Sequence, residues 1–179
     1  MEPCKASVFI ATSLDGFIAR PDGELDWLPA ANASNDMNYS EFIANVDVLV
    51  MGRHTFEKVV SFGEWPYDVP VRVLSRRGVE VPAAWRDSVN VISGEPLELL
   101  LELSRQGFKH AYVDGGETIQ AFIAADLIQR LIITLVPVLI GSGLRLFGPL
   151  SDACTSMMWR HVKTVTWSNG LVQSQYHRD

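Results

Sequence analysis

Residues 48–59 read VLVMGRHTFEKV. Four apolar residues run without alternation into Gly-Arg-His-Thr, and the pattern then turns helical. A short, wholly apolar run is what a strand shows inside a parallel sheet covered on both faces. Gly52, a fixed cation at Arg53 and a hydroxyl at Thr55 stand where that strand meets a helix, whose first N–H groups lack partners. Two readings follow: an ordinary strand-to-helix turn, or a place that holds phosphate. In open parallel sheets ligands gather at the carboxyl ends of the strands, so the neighbouring strand ends decide between them.

Working outward, SVFIAT (7–12) predicts a strand ended by the turn SLDG (13–16), and RPDGELDWLP a loop. From Asp36 to Val46, Tyr39, Phe42, Ile43 and Val46 recur at helical spacing, predicting an amphipathic helix. Strands are predicted at 47–51, 71–75 and 89–93, and helices over 55–61 and PLELLLELSRQG, which Gly107 stops. HAYVDGG reads as strand into turn, ETIQAFIAADL as a helix, and RLIITLVPVLI as one strand or two joined at Pro137. The tail WRHVKTVTWSNGLVQSQYH predicts an antiparallel hairpin with Asn169-Gly170 as a type I′ turn. The fold class is α/β: a mixed, mostly parallel sheet flanked by helices, with the hairpin at one edge.

Three more strand-ending turns bear on the question. VLSRR (73–77) closes a strand with Ser75, Arg76 and Arg77, which suit a ribose 2′-phosphate. VDGGETI (113–119) bares the backbone at Gly115 and Gly116 before Glu117 and Thr118, where a diphosphate fits against amides at a helix start. It lacks the G-x-G-x-x-G spacing of the usual dinucleotide fingerprint. At ATSLDGFIA (11–19), small residues from Ala11 onward leave room for a flat ring, with Ile18 against its face. Each turn alone also reads as plain chain reversal.

The bulk composition narrows the field. The 179 residues suit one domain spanning 1–179, with 47% hydrophobic and 20% charged residues and a formal net charge of −6. No basic block or tail invites nucleic acid, and no apolar run reaches the roughly 18 residues of a membrane span. The start, MEPCKASVFIATSLDG, lacks a signal-peptide pattern, and Cys4 and Cys154 form neither a disulfide framework nor metal spacing. A cytoplasmic protein with reduced thiols is expected. His54, His110, His161 and His177 show no triad or metal spacing, and no nucleophile elbow points to a hydrolase.

Taken in order, SLDGFIA, VDVLVMGRHTFE, VLSRR, YVDGGETI and DLIQRLIITLVPVLIGSGLRLF resemble the dihydrofolate reductase fold family, in the branch that contains the reductase domain of bacterial riboflavin biosynthesis. The VMGRHT segment is similar to the cofactor-binding segment of dihydrofolate reductases, and PVLIGSGLRLF to the riboflavin-type branch. The resemblance implies an NADPH-dependent reductase. It implies a diphosphate held by Gly52, Arg53, His54, Thr55, Gly115, Gly116, Glu117 and Thr118, a 2′-phosphate met by Ser75, Arg76 and Arg77, and a nicotinamide flanked by Ala11 and Ile18. It further implies a homodimer, and a small heterocyclic substrate, pterin- or pyrimidine-like.

Reducing a C=N bond by hydride transfer needs a proton at nitrogen. The resemblance points to Asp36, 16 residues before Gly52, as the acid, with Thr134 beside it. Asp36 shares the predicted helix face with Tyr39 and Ile43; it also reads as a helix cap, in competition with Ser34 and Asn35. The sequence departs from the dihydrofolate pattern by inserting AANASN (30–35) before Asp36. It also lacks the phosphoribosyl-binding pattern and deaminase domain of the riboflavin enzymes. Asp15, Trp27 and Tyr39 are further pocket candidates. The alternative function is a non-catalytic nucleotide-binding module that keeps the cofactor pocket.

Overall fold

The computed structural model describes residues 2–29, 36–150 and 156–178. Its centre is an eight-stranded sheet, built from β1 (Lys5–Ser13), β3 (Val48–Gly52), β4 (Val71–Leu74), β5 (Val89–Ile92), β6 (His110–Asp114), β7 (Arg130–Val136), β9 (Arg160–Thr166) and β10 (Val172–His177). The strand order is β5-β4-β3-β6-β1-β7-β10-β9. All pairs from β5 to β7 are parallel, and β10 and β9 add the antiparallel edge. A second sheet pairs β2 (Phe17–Ala19) with β8 (Leu144–Arg145). Strands of three and two residues are too short for a periodic signal, which is why the sequence reading passes over them.

Helices α1 (Tyr39–Ile43) and α2 (Arg53–Ser61) accompany one face of the sheet, and α3 (Pro96–Arg105) and α4 (Gly116–Ala124) the other. Strand alternation feeds both cores. In β1, Ala6 and Val8 join Leu100, Leu103 and Phe122, whereas Phe9 joins Phe42, Phe56 and Tyr112. Proline at the first position of α3 costs no hydrogen bond. The Cys4 thiol lies in the first core, where burial pushes its pKa up to about 11; Cys154 lies outside the described residues. No helix among them is long and apolar enough to cross a membrane, and no His, Cys, Asp or Glu cluster there suits a metal.

Three expectations need correction. The helix foreseen from Asp36 to Val46 is a five-residue α1, extended to Val46 only by tight turns. Met37 and Asn38 take left-handed backbones, φ 53° and 65°, which no helix continues through. Asp36 therefore lies outside the helix and shares no helix face with Tyr39 and Ile43. Pro137 ends β7 rather than joining two strands, since it has no N–H for the ladder. The hairpin turn is not type I′, because of Asn169 and Gly170 only Gly170 has positive φ, 87°. Trp167 O accepts from Gly170 N at 3.0 Å and Trp167 N donates to Leu171 O, the pattern of a type I turn closed by a left-handed glycine.

That geometry separates two substitutions. Gly170→Ala should destabilise the protein by about 1–2 kcal/mol, the cost of a left-handed alanine. Asn169→Ala should cost less than about 0.5 kcal/mol. Urea midpoints of the two variants report the difference, and equal losses would restore the type I′ assignment.

Candidate active site

Strands β3 and β6 are neighbours, with Met51 opposite Asp114, so the turns that follow them lie side by side. Gly52 caps α2 and Gly115 caps α4, the latter at φ 91° where only glycine sits without strain. A Cβ on Gly52 would stand 2.8 Å from Thr118 Oγ1, and a Cβ on Gly115 would overlap Thr55 Oγ1. Each turn's glycine thus receives the other turn's threonine. A Cβ on Gly116 would meet Ile18 Cδ1 at 2.9 Å, which brings β2 to the same place. Neither α2 nor α4 has a side-chain cap, so their first N–H groups remain for a ligand.

Around this cradle the cations differ in their commitments. Arg53 donates to Glu57 Oε1 at 2.8 Å and lies 3.3 Å from His54 Nε2, so both run along α2. Thr118 is buried and Glu117 exposed. Leu74 pairs with Gly52, so Ser75, Arg76 and Arg77 leave β4 beside the cradle. The Ser75 hydroxyl donates to Gly78 O and accepts from Arg77 N. Arg76 and Arg77 are exposed and have no ion pair among the described residues. On an acidic chain they make a local positive spot.

The sheet face under α1 and α2 supplies a floor. Alternation in β6 puts Asp114 on the side of Tyr112. On β1 and β7, Ala11 stands opposite Thr134. Asp114 keeps partial solvent access as a residue although its carboxyl is surrounded by protein. Oδ1 accepts from Gly115 N at 2.8 Å, and no cation among the described residues pairs with it. Burial pushes its pKa up to about 6, against the single hydrogen bond that pulls it down. Burial, and then the nearby Asp114 charge, raise Tyr39 to about 12 and Tyr67 further still, so both phenols are neutral beside it. Asp114 is the site residue missed from the sequence. Its signal is an ionisable side chain ending an apolar strand, in a VDGG stretch read only for its glycines.

Asp36 has a different surrounding. Its carboxylate accepts from Asn38 N and Ser40 N, each at 3.0 Å. Hydrogen bonds from Ser40, through side chain and backbone, hold its pKa below the usual carboxylate range. These are the contacts of a cap; Ser34 and Asn35, its competitors, lie outside the described residues, as does the AANASN insertion. Thr134 is buried, and its hydroxyl accepts from Gln173 Nε2 at 2.9 Å. Gln173 also donates to Met37 O at 2.7 Å and accepts from Asn38 Nδ2 at 3.0 Å. Thr134 therefore reaches the neighbours of Asp36 rather than its carboxylate. Asp15 accepts from Ser13 Oγ, Ile140 N and Gly141 N, tying two loops together. The buried Trp27 indole N–H has no partner among the described residues.

Comparison with known proteins agrees with this architecture. The uncharacterised Bacillus subtilis (strain 168) protein YwjB is 34% identical over 152 residues, covering 83% of this chain and 85% of YwjB. A candidate riboflavin biosynthesis protein from Shewanella sp. PV-4 has a similar crystal structure: TM-score 0.90, 42% identity, 98% of this chain and 99% of that one. The dihydrofolate reductase of Enterococcus faecalis, solved with NADP(H) and the ligand RAB-propyl, shares the fold at TM-score 0.65 and 18% identity, over 98% of this chain and 96% of that one. The sequence matches the RibD C-terminal domain family over residues 5–173, and the chain belongs to that family, which is of the reductase type.

Proposed function

We propose that the protein is an NADPH-dependent reductase that delivers hydride to a small pterin- or pyrimidine-like heterocycle. The observation that carries this reading is an unpaired, protonatable carboxyl, Asp114, one residue from a bare Gly-Gly turn. The cradle suits a dinucleotide because Gly52, Gly115 and Gly116 let the two turns and Ile18 pack in contact, which sets two uncapped helix starts side by side. The α2 and α4 amides with Thr55 and Thr118 hold the diphosphate, while Arg53, His54 and Glu117 flank it. Ser75, Arg76 and Arg77 take the 2′-phosphate, and Ala11 and Ile18 flank the nicotinamide. NADPH, when bound, supplies the hydride; the protein supplies the matching proton.

Asp114 is the donor this reading favours over Asp36. A carboxyl with a pKa of about 6 carries a proton in a useful fraction of molecules near neutrality, whereas the Asp36 carboxylate is committed to backbone N–H groups. As hydride reaches the ring carbon, the Asp114 proton passes to the adjacent nitrogen, and solvent re-protonates the carboxylate through its partly open side. Thr134 and Gln173 position the Asp36 segment over the floor.

Exposed Phe147, with Met157 and Trp159, lines an apolar groove of about 460 Å³ between α4, β7 and the hairpin. This surface supports a homodimer.

Four measurements test this reading. Arg76→Ala should weaken NADPH at least about tenfold and leave NADH within twofold, by fluorescence titration; equal weakening removes Arg76 from the 2′-phosphate. Turnover should fall as pH rises through about 6 and lose that dependence, with most of its rate, in Asp114→Asn. Because burial raises the folded pKa above the unfolded 3.8, the native fold loses stability as pH climbs from about 4 to 6. Asp114→Asn should therefore unfold at higher urea than wild type above pH 6, by at most about 3 kcal/mol, with no gain below pH 4. If Asp36→Asn moves the pH–rate limb instead, the donor assignment passes to Asp36. Light scattering should give twice the 19.9 kDa chain mass, and Phe147→Asp should shift it toward the monomer; a wild-type monomer sinks the dimer.

A further inference from the structure

The cradle leaves one half-buried cation of the sheet unexplained. Arg130 opens β7, at the opposite end of the parallel strands from the glycine turns. A guanidinium has five N–H donors, and among the described residues Arg130 gives one hydrogen bond, from Nη2 to Gln175 Oε1 at 3.1 Å. Its Nε is buried and has no partner among those residues, a costly omission for a charged group. Its Cζ lies 5.9 Å from the Phe42 ring centroid. Burial works against the Arg130 charge and the Glu41 carboxylate favours it, yet Arg130 forms no ion pair among the described residues.

A second cation reaches the same place. Phe9, Ile132, Gln175 and Lys163 stand opposite one another on β1, β7, β10 and β9, and alternation sets Arg130 on the face of Ile132. Asn38, Glu41 and Phe42 form the facing wall, so Arg130 and Lys163 line one crevice between α1 and the hairpin. Lys163 is exposed, with no ion pair among the described residues. The amides there are engaged: Gln175 Nε2 lies 2.9 Å from His177 Nε2, and Asn38 Nδ2 donates to Gln173 Oε1 at 3.0 Å. The crevice thus sets two cationic donors against one acid, Glu41. It is narrow, about 10 Å³, room for one water-sized group. A flat carboxylate enters such a slot edge-on and matches a guanidinium; a tetrahedral phosphate is bulkier in every direction. Gln173, bonded to Thr134, marks the end of the crevice toward the reaction floor. Thr134 lies four residues along β7 from Arg130, about 13 Å at ordinary strand rise.

We propose that this crevice is a second binding site, separate from the cofactor cradle, for a small carboxylate anion held by Arg130 and Lys163. The carboxylate head takes uncommitted N–H donors of the guanidinium, and Lys163 approaches it from the exposed rim. Glu41 occupies the opposite wall and weakens the site by like charge. The rest of the ligand stays outside, since the crevice has room for the head alone.

The test follows the proton–nitrogen NMR signal of the Arg130 Nε–H group, assigned as the one lost in Arg130→Lys. Acetate, chloride and inorganic phosphate are titrated in turn at constant ionic strength. Acetate should move the signal along a saturable curve that chloride does not reproduce. Lys163→Gln should weaken acetate about threefold to fivefold, and Glu41→Gln should tighten it by a similar factor. Both side chains are exposed, so neither change disturbs the core. An acetate response no different from that of chloride overturns the site, as does an acetate affinity indifferent to Lys163 and Glu41. Phosphate binding more tightly than acetate overturns the carboxylate assignment. The signal is read without cofactor or turnover, so its outcome is independent of the reductase reading.

Discussion

The interlock of Gly52 with Thr118 and Gly115 with Thr55 is the constraint on which the site depends. It exists because β3 and β6 are adjacent and parallel, so both chains leave the sheet at the same end and start helices there. Packing two helix starts this closely leaves no room for a Cβ, and each glycine is needed for the close approach of its neighbour. The same closeness puts two sets of uncapped amides side by side. One packing contact thus builds the backbone cradle and sets Asp114, opposite Met51, at its edge.

Asp114 shows the opposing demand. Its carboxyl is buried without a counter-ion, which an acidic fold carries only at a loss of stability once the group ionises. A paired or exposed carboxylate would serve the fold better. The Tyr39 and Tyr67 phenols feel its charge and stay neutral, so they do not compensate it. An arrangement that gives up stability to keep a proton near neutral pH is the kind expected where that proton is used.

Much of the fold was legible because strands such as VLVM and VRVL, and helices such as 96–105, carry strong periodic or apolar signals over their own length. The glycines and threonines that interlock were legible too, as residues at strand ends, although each turn alone also reads as plain chain reversal. What escaped depended on tertiary contacts. The left-handed Met37 and Asn38 are held by Gln173, 135 residues or more along the chain, and nothing local announces them. That network turned an expected helical acid into a cap. Asn169-Gly170 satisfied the rule for a type I′ turn, but Gly170 alone took the positive φ while packing on Pro137. Asp114 was visible as a residue; its burial was not, because burial depends on what distant segments pack over the end of β6.

The central claim is that the interlocked turns form a phosphate seat that prefers the 2′-phosphorylated cofactor. Parallel titrations of the wild-type protein with NADPH and NADH, followed by quenching of its five tryptophans, address it most directly. The account predicts saturable binding of both, with NADPH tighter by at least about tenfold. No saturable binding of either nucleotide would mean that the turns only reverse the chain, and would contradict the account.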